Sequence, residues 1–326
     1  LPQGQLAKML SERSFGGKCF FCNSGAEANE GAMKLARKYT AKGKYKFITT
    51  ERSFHGRTFA AVTATGQPKY HDGFLPLVPG FEYIPFNDID ALTTAFSDEV
   101  AAVLIEPIQG EGGYLVPPDG FLAGLRQLCD EHGILLIFDE VQSGVGRTGR
   151  HFACEHWSVQ PDIMTLAKGL GSGLPIGAVV ARRSLMSQWQ RGAHGNTYGG
   201  NPLACAAANA TLDLVRNELT ANAAAAGTYF MARLAGLAER YPCIGEVRGR
   251  GLMIGMELIA TDGSREPAAK LCDALITRAF HNGVLLLSCG VSTVRFMPPL
   301  TVSFDEIDEV IECLRYSLDE ALQGID

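Results

Sequence analysis

Two uninterrupted apolar runs, Ala101-Ala102-Val103-Leu104-Ile105 and Ile134-Leu135-Leu136-Ile137-Phe138, constrain the fold of this chain more than any other feature. A strand with one solvated face alternates apolar and polar residues, so an unbroken run of this kind marks a strand covered on both faces. Each run ends in a carboxylate, Glu106 and Asp139. Between them Leu122, Leu125, Leu128 and Cys129 share one face of a helix that Gly133 stops as its C′ residue. Strand, helix, strand is one βαβ unit. The runs Ile163-Met164-Thr165-Leu166-Ala167 and Ile176-Gly177-Ala178-Val179-Val180 add two more strands. The region from about Gly17 to Arg182 therefore reads as α/β, a mainly parallel central sheet flanked by helices.

A further helix begins just after Ser24-Gly25, carries Ala28, Ala32, Leu35, Ala36 and Tyr39 at helical spacing, and is expected to end at Gly43. From Pro202 to about Leu237 an alanine-rich segment reads as one or two long helices. After Tyr241 shorter strands mix with helices: a strand near Gly251–Leu258, a helix from Pro267 to His281, strands at Val284–Leu287 and Val294–Met297, and a closing helix from Phe304. These patterns give a large domain over residues 1–212 and a smaller α+β domain over 213–326.

Composition excludes several classes of partner. The 35 acidic and 29 basic residues leave a formal charge of -6, and no run of Lys or Arg tracks a phosphate backbone, so nucleic acid is not expected. No apolar stretch reaches the ~20 residues of a membrane helix. Nine scattered cysteines suit reduced thiols in the cytoplasm better than a disulfide framework. Cys19 and Cys22 form a C-x-x-C, but on a strand residues three apart face opposite ways, and no second Cys/His pair completes a metal site.

Three features carry chemistry. Ligands of open α/β sheets sit beyond the carboxyl ends of the strands, which draws notice to Asp139, although a solvated strand-end carboxylate or helix cap accounts for it equally when taken alone. Lys168 closes another apolar run and precedes Gly169-Leu170-Gly171-Ser172-Gly173; a nucleophilic lysine must shed its proton, which burial and nearby positive charge favour. Asn23-Ser24-Gly25-Ala26-Glu27 lies between a strand and a helix, where unpaired N–H groups and the helix dipole form an anion site; plain capping by Ser24 or Asn23 is the alternative. A phosphate cradle, a strand-end carboxylate and a strand-end amine together match what pyridoxal phosphate requires.

The ordered blocks Asn23-Ser24-Gly25-Ala26-Glu27-Ala28-Asn29-Glu30, Phe54-His55-Gly56-Arg57-Thr58, Glu106-Pro107-Ile108-Gln109-Gly110-Glu111-Gly112-Gly113, Phe138-Asp139-Glu140-Val141-Gln142, Leu166-Ala167-Lys168-Gly169 and Asn196-Thr197-Tyr198-Gly199-Gly200-Asn201-Pro202 carry a further inference. With them the sequence resembles the class III aminotransferases of fold type I over nearly its whole length. The resemblance implies pyridoxal 5′-phosphate as cofactor, with Lys168 as its Schiff-base lysine and Asp139 as the partner of its ring nitrogen. It implies backbone N–H groups of Gly25 and Ala26 on the phosphate beside Ser24, Phe54 stacked on the ring, and Gln142 near the ring hydroxyl. Thr197 is expected to reach the phosphate of a neighbouring subunit, which makes a homodimer part of the site. Arg57 and Arg295 resemble the family's two carboxylate-binding arginines, and Glu111 the residue that pairs with the second arginine when a basic substrate binds. A surface ion pair for either arginine, or core packing for Phe54, remains the plain alternative.

The implied reaction is ping-pong transfer of an amino group from a small-molecule donor to a 2-oxo acid. Glu111-Gly112-Gly113 leans toward N-acetylornithine with 2-oxoglutarate, a step of arginine biosynthesis; ornithine, succinylornithine and 4-aminobutyrate are alternative donors. A decarboxylase or aminomutase with the same lysine, or a binding protein on the same fold, are readings of a different class. The family's additional N-terminal segment, which folds against the small domain, is read as missing before Leu1.

Overall fold

The computed structural model describes residues 1–323. Its first compact unit comprises Leu1–Pro107, Pro117–Val145 and His151–Arg216. Seven strands form its sheet: β1 (Lys18–Cys22), β2 (Lys46–Thr50), β3 (Phe81–Ile84), β4 (Val100–Ile105), β5 (Leu135–Asp139), β6 (Ile163–Leu166) and β7 (Gly177–Ala181). Their order is β1-β7-β6-β5-β4-β2-β3, and only β7 runs against its neighbours. All of β4 is buried, as an unbroken apolar run requires, and each fully buried Leu or Ile on it contributes roughly 1.5–3 kcal/mol.

The sequence reading of β5 began one residue early. Ile134 instead closes the helix Phe121–Glu131: its N–H donates to Cys129 O at 2.9 Å while Gly133, at φ +60°, donates to Asp130 O. That is the paired closure of a helix ending on a left-handed glycine. The same device, with Gly283 and Val284 behind the helix Ala269–His281, explains why a strand expected at Val284–Leu287 starts only at Leu287. The helix after Ser24 spans Gly25–Tyr39, not reaching Gly43, because Thr40 leaves helical geometry and caps it, N–H and hydroxyl both donating to Ala36 O. Ala28, Ala32, Leu35 and Ala36 are buried against the sheet, whereas Tyr39, expected on that face, is exposed.

The second unit comprises Ile108–Val116, Gly146–Arg150 and Asn217 onward. Four antiparallel strands, β8 (Ile244–Arg250), β9 (Met253–Leu258), β10 (Leu287–Cys289) and β11 (Thr293–Phe296), lie in the order β10-β11-β9-β8. Phe230, Leu234, Ile254, Leu275 and Leu314 share a core built from this sheet and the helices Thr220–Arg240, Ala269–His281 and Phe304–Gln323. The division between the units falls after Arg216, inside the wider π-helical turn Val215–Leu219 that joins Pro202–Leu214 to Thr220–Arg240. Two short segments from the first half of the chain also group with the second unit, which a single boundary at 212/213 does not express. The cause is local hydrogen bonding: Arg147 exchanges backbone and guanidinium bonds with Leu252, and Gly113 O accepts from Arg248.

All nine cysteines are free thiols. Cys19 and Cys22 make separate contacts, Cys19 with Ala7 O and Cys22 with Ser24 O. No helix among the described residues is long and apolar enough to cross a membrane. Burial pushes the thiols of Cys22, Cys129, Cys272 and Cys289 up from 9.0 to about 12. A raised native pKa means that the unfolded thiol ionises first, so this stabilisation is complete below pH 9.0 and is lost as pH climbs toward 12. Urea unfolding at about pH 8 and about pH 10.5 is expected to show a drop approaching ~1.4 kcal/mol per pH unit for each thiol. Equal stability at the two pH values contradicts this.

Candidate active site

The carboxyl ends of β1, β2, β4, β5 and β6 lie along one edge of the first sheet, and reversal of β7 brings its amino end to the same edge. The residues that follow or precede these ends line a cleft of about 500 Å³. Ligand sites of α/β sheets form at this edge because strand-end residues and helix N-termini meet there.

β1 runs into the helix Gly25–Tyr39 through Asn23 and Ser24. The Ser24 hydroxyl accepts from Glu27 N at 3.2 Å, and Glu27 Oε2 accepts from both nitrogens of Asn23 at 2.9 Å, which fixes the chain entering the helix. Ser24 thus acts as the cap, and helix geometry leaves the N–H groups of Gly25 and Ala26 without intrahelical partners. A side chain at position 25 would place its Cβ 2.8 Å from Val141 Cγ1, so only glycine lets this turn sit so close beneath the loop after β5.

Asp139, at the end of β5, is 4% exposed and yet accepts three hydrogen bonds. Oδ2 takes Asn29 Nδ2 and His55 Nδ1, each at 2.8 Å, and Oδ1 takes Val141 N at 3.0 Å. His55 Nδ1 is assigned as the donor to Asp139, and Nε2 lies 3.1 Å from Thr49 Oγ1, whose hydroxyl donates to Ala64 O. Asn29 is held in turn by Thr165 Oγ1 at 2.8 Å. A carboxylate offers about four acceptor positions; three are filled, and the fourth, on Oδ1, remains available.

Lys168 follows β6 with φ +44°, a left-handed conformation that costs a non-glycine residue of order 1 kcal/mol or more. Its side chain is exposed in the cleft. Gly171 permits the tight return that follows, since a Cβ there would overlap Leu174 O.

The segment after β2 supplies Phe54 and Arg57. Phe54 N donates to Glu106 Oε2 at 3.1 Å, tying this loop to the end of β4. The Arg57 guanidinium lies over Tyr70 at 4.6 Å and Phe54 at 5.7 Å, and among the described residues no carboxylate pairs with it. Its fork is presented by aromatic faces rather than consumed in a surface ion pair. Gln142 Oε1 is buried without a hydrogen-bond partner, and Gln142 lines the cleft.

One cleft therefore gathers Ser24, Gly25, Ala26, Phe54, Arg57, Asp139, Gln142 and Lys168 from the candidates read in the sequence. Thr197 is exposed and does not line it. Glu111 and Arg295 belong to the second unit, where Arg295 Nη1 donates to Glu111 Oε1 at 2.5 Å. Burial pulls the Arg295 guanidinium down, but the Glu111 carboxylate outweighs it and the net shift is upward. Sequence reasoning gave no role to Asn29, His55, Thr165 or Tyr70. Asn29 alone left a signal, as an amide amid the buried alanines of its helix.

The family model "Aminotransferase class-III" matches residues 1–318. An acetylornithine aminotransferase of Caldanaerobacter subterraneus is 49% identical over 323 residues, which covers 98% of this chain and 80% of that protein. One from Methanocaldococcus jannaschii is 49% identical over 320 residues, 96% of this chain and 78% of the relative. Among solved structures, an ornithine aminotransferase from Toxoplasma gondii with partial occupancy of PLP at its active site superposes with a TM-score of 0.90 at 36% identity, covering 98% of this chain and 77% of its own. A transaminase from the marine bacterium Virgibacillus superposes with a TM-score of 0.96 at 28% identity, covering 100% and 80%. With sequence and architecture agreeing along almost its full length, the chain belongs to the class III aminotransferases.

Proposed function

We propose that this cleft binds pyridoxal 5′-phosphate and that the enzyme transfers the amino group of N-acetylornithine to 2-oxoglutarate, yielding N-acetylglutamate semialdehyde and glutamate, a step of arginine biosynthesis. The observation that carries the reading is the meeting, in one cleft, of a strand-end amine, a buried carboxylate and an open helix N-terminus. The residues present fit the cofactor. The first-turn N–H groups of Gly25 and Ala26 suit its phosphate, the vacant Oδ1 position of Asp139 suits its ring N–H, and the orphaned Gln142 Oε1 suits its hydroxyl.

Bound there, the cofactor supplies an aldehyde that bonds amines and a ring that withdraws electrons from them. Lys168 Nζ is the amine that would hold the cofactor's aldehyde. With cofactor and donor bound, the same nitrogen would carry the proton of the donor carbon that bears the amino group, as base and then as acid. Asp139 would hold the ring N–H through Oδ1, with Asn29 and His55 fixing Oδ2 so that the carboxylate does not turn away. Phe54, in the lining of the cleft, would pack against the ring. Arg57 offers a two-point fork suited to a substrate carboxylate; in the second unit the Glu111–Arg295 pair suits a switch, closed for a donor with one carboxylate and open for the second carboxylate of 2-oxoglutarate. Thr197 serves the phosphate of a neighbouring copy, so that the working form is a homodimer. Nine free thiols support placement in the cytoplasm.

The names carried by relatives at 49% identity support the choice of donor. Steady-state rates with N-acetylornithine, ornithine and 4-aminobutyrate test it. N-acetylornithine is expected to lead in kcat/KM by about tenfold or more, within what contacts to one polar group discriminate. A lead for 4-aminobutyrate overturns the donor assignment and leaves the chemistry of the cleft standing.

A further inference from the structure

Arg248, Gly255 and Arg295 form one row across the second sheet: Arg248 on β8 is paired with Gly255 on β9, and Gly255 with Arg295 on β11. The missing side chain at Gly255 leaves a gap between two arginines. A Cβ there would come within 3.1 Å of Tyr114 Cβ and 3.4 Å of Gly113 O, so the gap is where the segment Ile108–Val116 lies against the sheet. Glu111 is the single charged residue of that segment.

Each arginine takes a different part of it. Arg295 takes the Glu111 carboxylate. Arg248 takes the backbone, with Nε and Nη2 donating to Gly113 O at 3.0 and 2.8 Å. Nη2 also donates to Thr293 Oγ1, and Nη1 to Glu246 and Glu257. A guanidinium has five N–H donors, and these contacts use all five, so Arg248 keeps none with which to draw Glu111 away from Arg295. The segment needs such an anchor. Gly110, Gly112 and Gly113 flank Glu111, Gly113 stands at φ +128°, and glycine-rich backbone is the most costly to hold in one conformation.

We propose that Arg248 is a specificity-determining positioning residue: by clamping Gly113 O it fixes the backbone that carries Glu111, so that Glu111 covers Arg295 when the donor with a single carboxylate binds. This rests on the substrate-switching role given above to Glu111 and Arg295. Loss of the clamp leaves Arg295 uncovered more of the time. An uncovered arginine opposes a donor without a second carboxylate and favours a dicarboxylate, so the two substrates respond in opposite directions. A defect that only loosens the fold weakens both.

The test uses the full chain with saturating cofactor, comparing wild type, Arg248→Lys and Arg248→Met, each alone and combined with Glu111→Ala. Lysine keeps the charge without the fork, so Arg248→Lys carries the test should Arg248→Met not fold. KM and kcat are measured for N-acetylornithine and for 2-oxoglutarate. Expected is a rise of about tenfold in KM for N-acetylornithine with KM for 2-oxoglutarate unchanged or lower, and no further change in their ratio once Glu111 is alanine. Parallel losses for both substrates, or an undiminished shift in the Glu111→Ala background, overturn the proposal while the switch stands. If Glu111→Ala alone leaves the ratio unchanged, the switch itself falls and the proposal with it.

Discussion

Lys168→Ala is expected to lower kcat by at least about 10³-fold while leaving the fold intact, because the chemistry depends on this amine both as nucleophile and as proton carrier. The side chain is exposed in the cleft, so its loss removes little packing. Stability provides a second readout. Alanine retains the strained φ of +44°, whereas Lys168→Gly relieves it, and the glycine variant is expected to melt above the alanine variant while being equally inactive. Turnover within tenfold of wild type in either variant contradicts the role assigned to Lys168.

Asp139→Ala is expected to cost both turnover and stability, through separate causes. Turnover falls about 10²-fold or more because nothing then keeps the ring N–H in place, although some cofactor remains bound through the helix N-terminus and Lys168. Stability falls because His55 Nδ1, one of the two Asn29 Nδ2 hydrogens (the other stays on His55 O) and the half-buried Val141 N lose their acceptor, and a buried donor left unpaired costs about 1–3 kcal/mol. Near-normal turnover refutes the assignment. An unchanged melting temperature refutes the network around it.

The physics of single segments was legible in the sequence, and the physics of pairing between distant segments was not. β4 and β5 announce themselves as apolar runs because burial on both faces leaves no polar position. The helix after Ser24 announces its start because capping is local chemistry. By contrast, β2 and β8 are short or interrupted by polar residues and glycine, and the helix Pro2–Arg13 has only Leu6 and Leu10 buried, so none carries a strong pattern. The reversal of β7 had no signal, since a run covered on both faces reads the same in either direction.

The site divides along the same line. Asp139, Lys168 and the turn at Gly25 stand at strand ends and could be picked out one by one. The His55–Asp139 contact joins residues 84 apart, and Arg248 reaches Gly113 across 135, separations at which sequence spacing says nothing. The strain at Lys168 and the orphaned oxygen of Gln142 are properties of the folded backbone and of burial, with no counterpart in residue type.

The bond between one particular amine and the cofactor's aldehyde is the central claim, and reductive trapping reads it directly. Purified protein loaded with pyridoxal 5′-phosphate is treated with borohydride, digested, and its peptides mapped. The account predicts a single cofactor-labelled peptide with the label on Lys168. Label on another lysine, or none on a protein that has been shown to hold the cofactor, contradicts it.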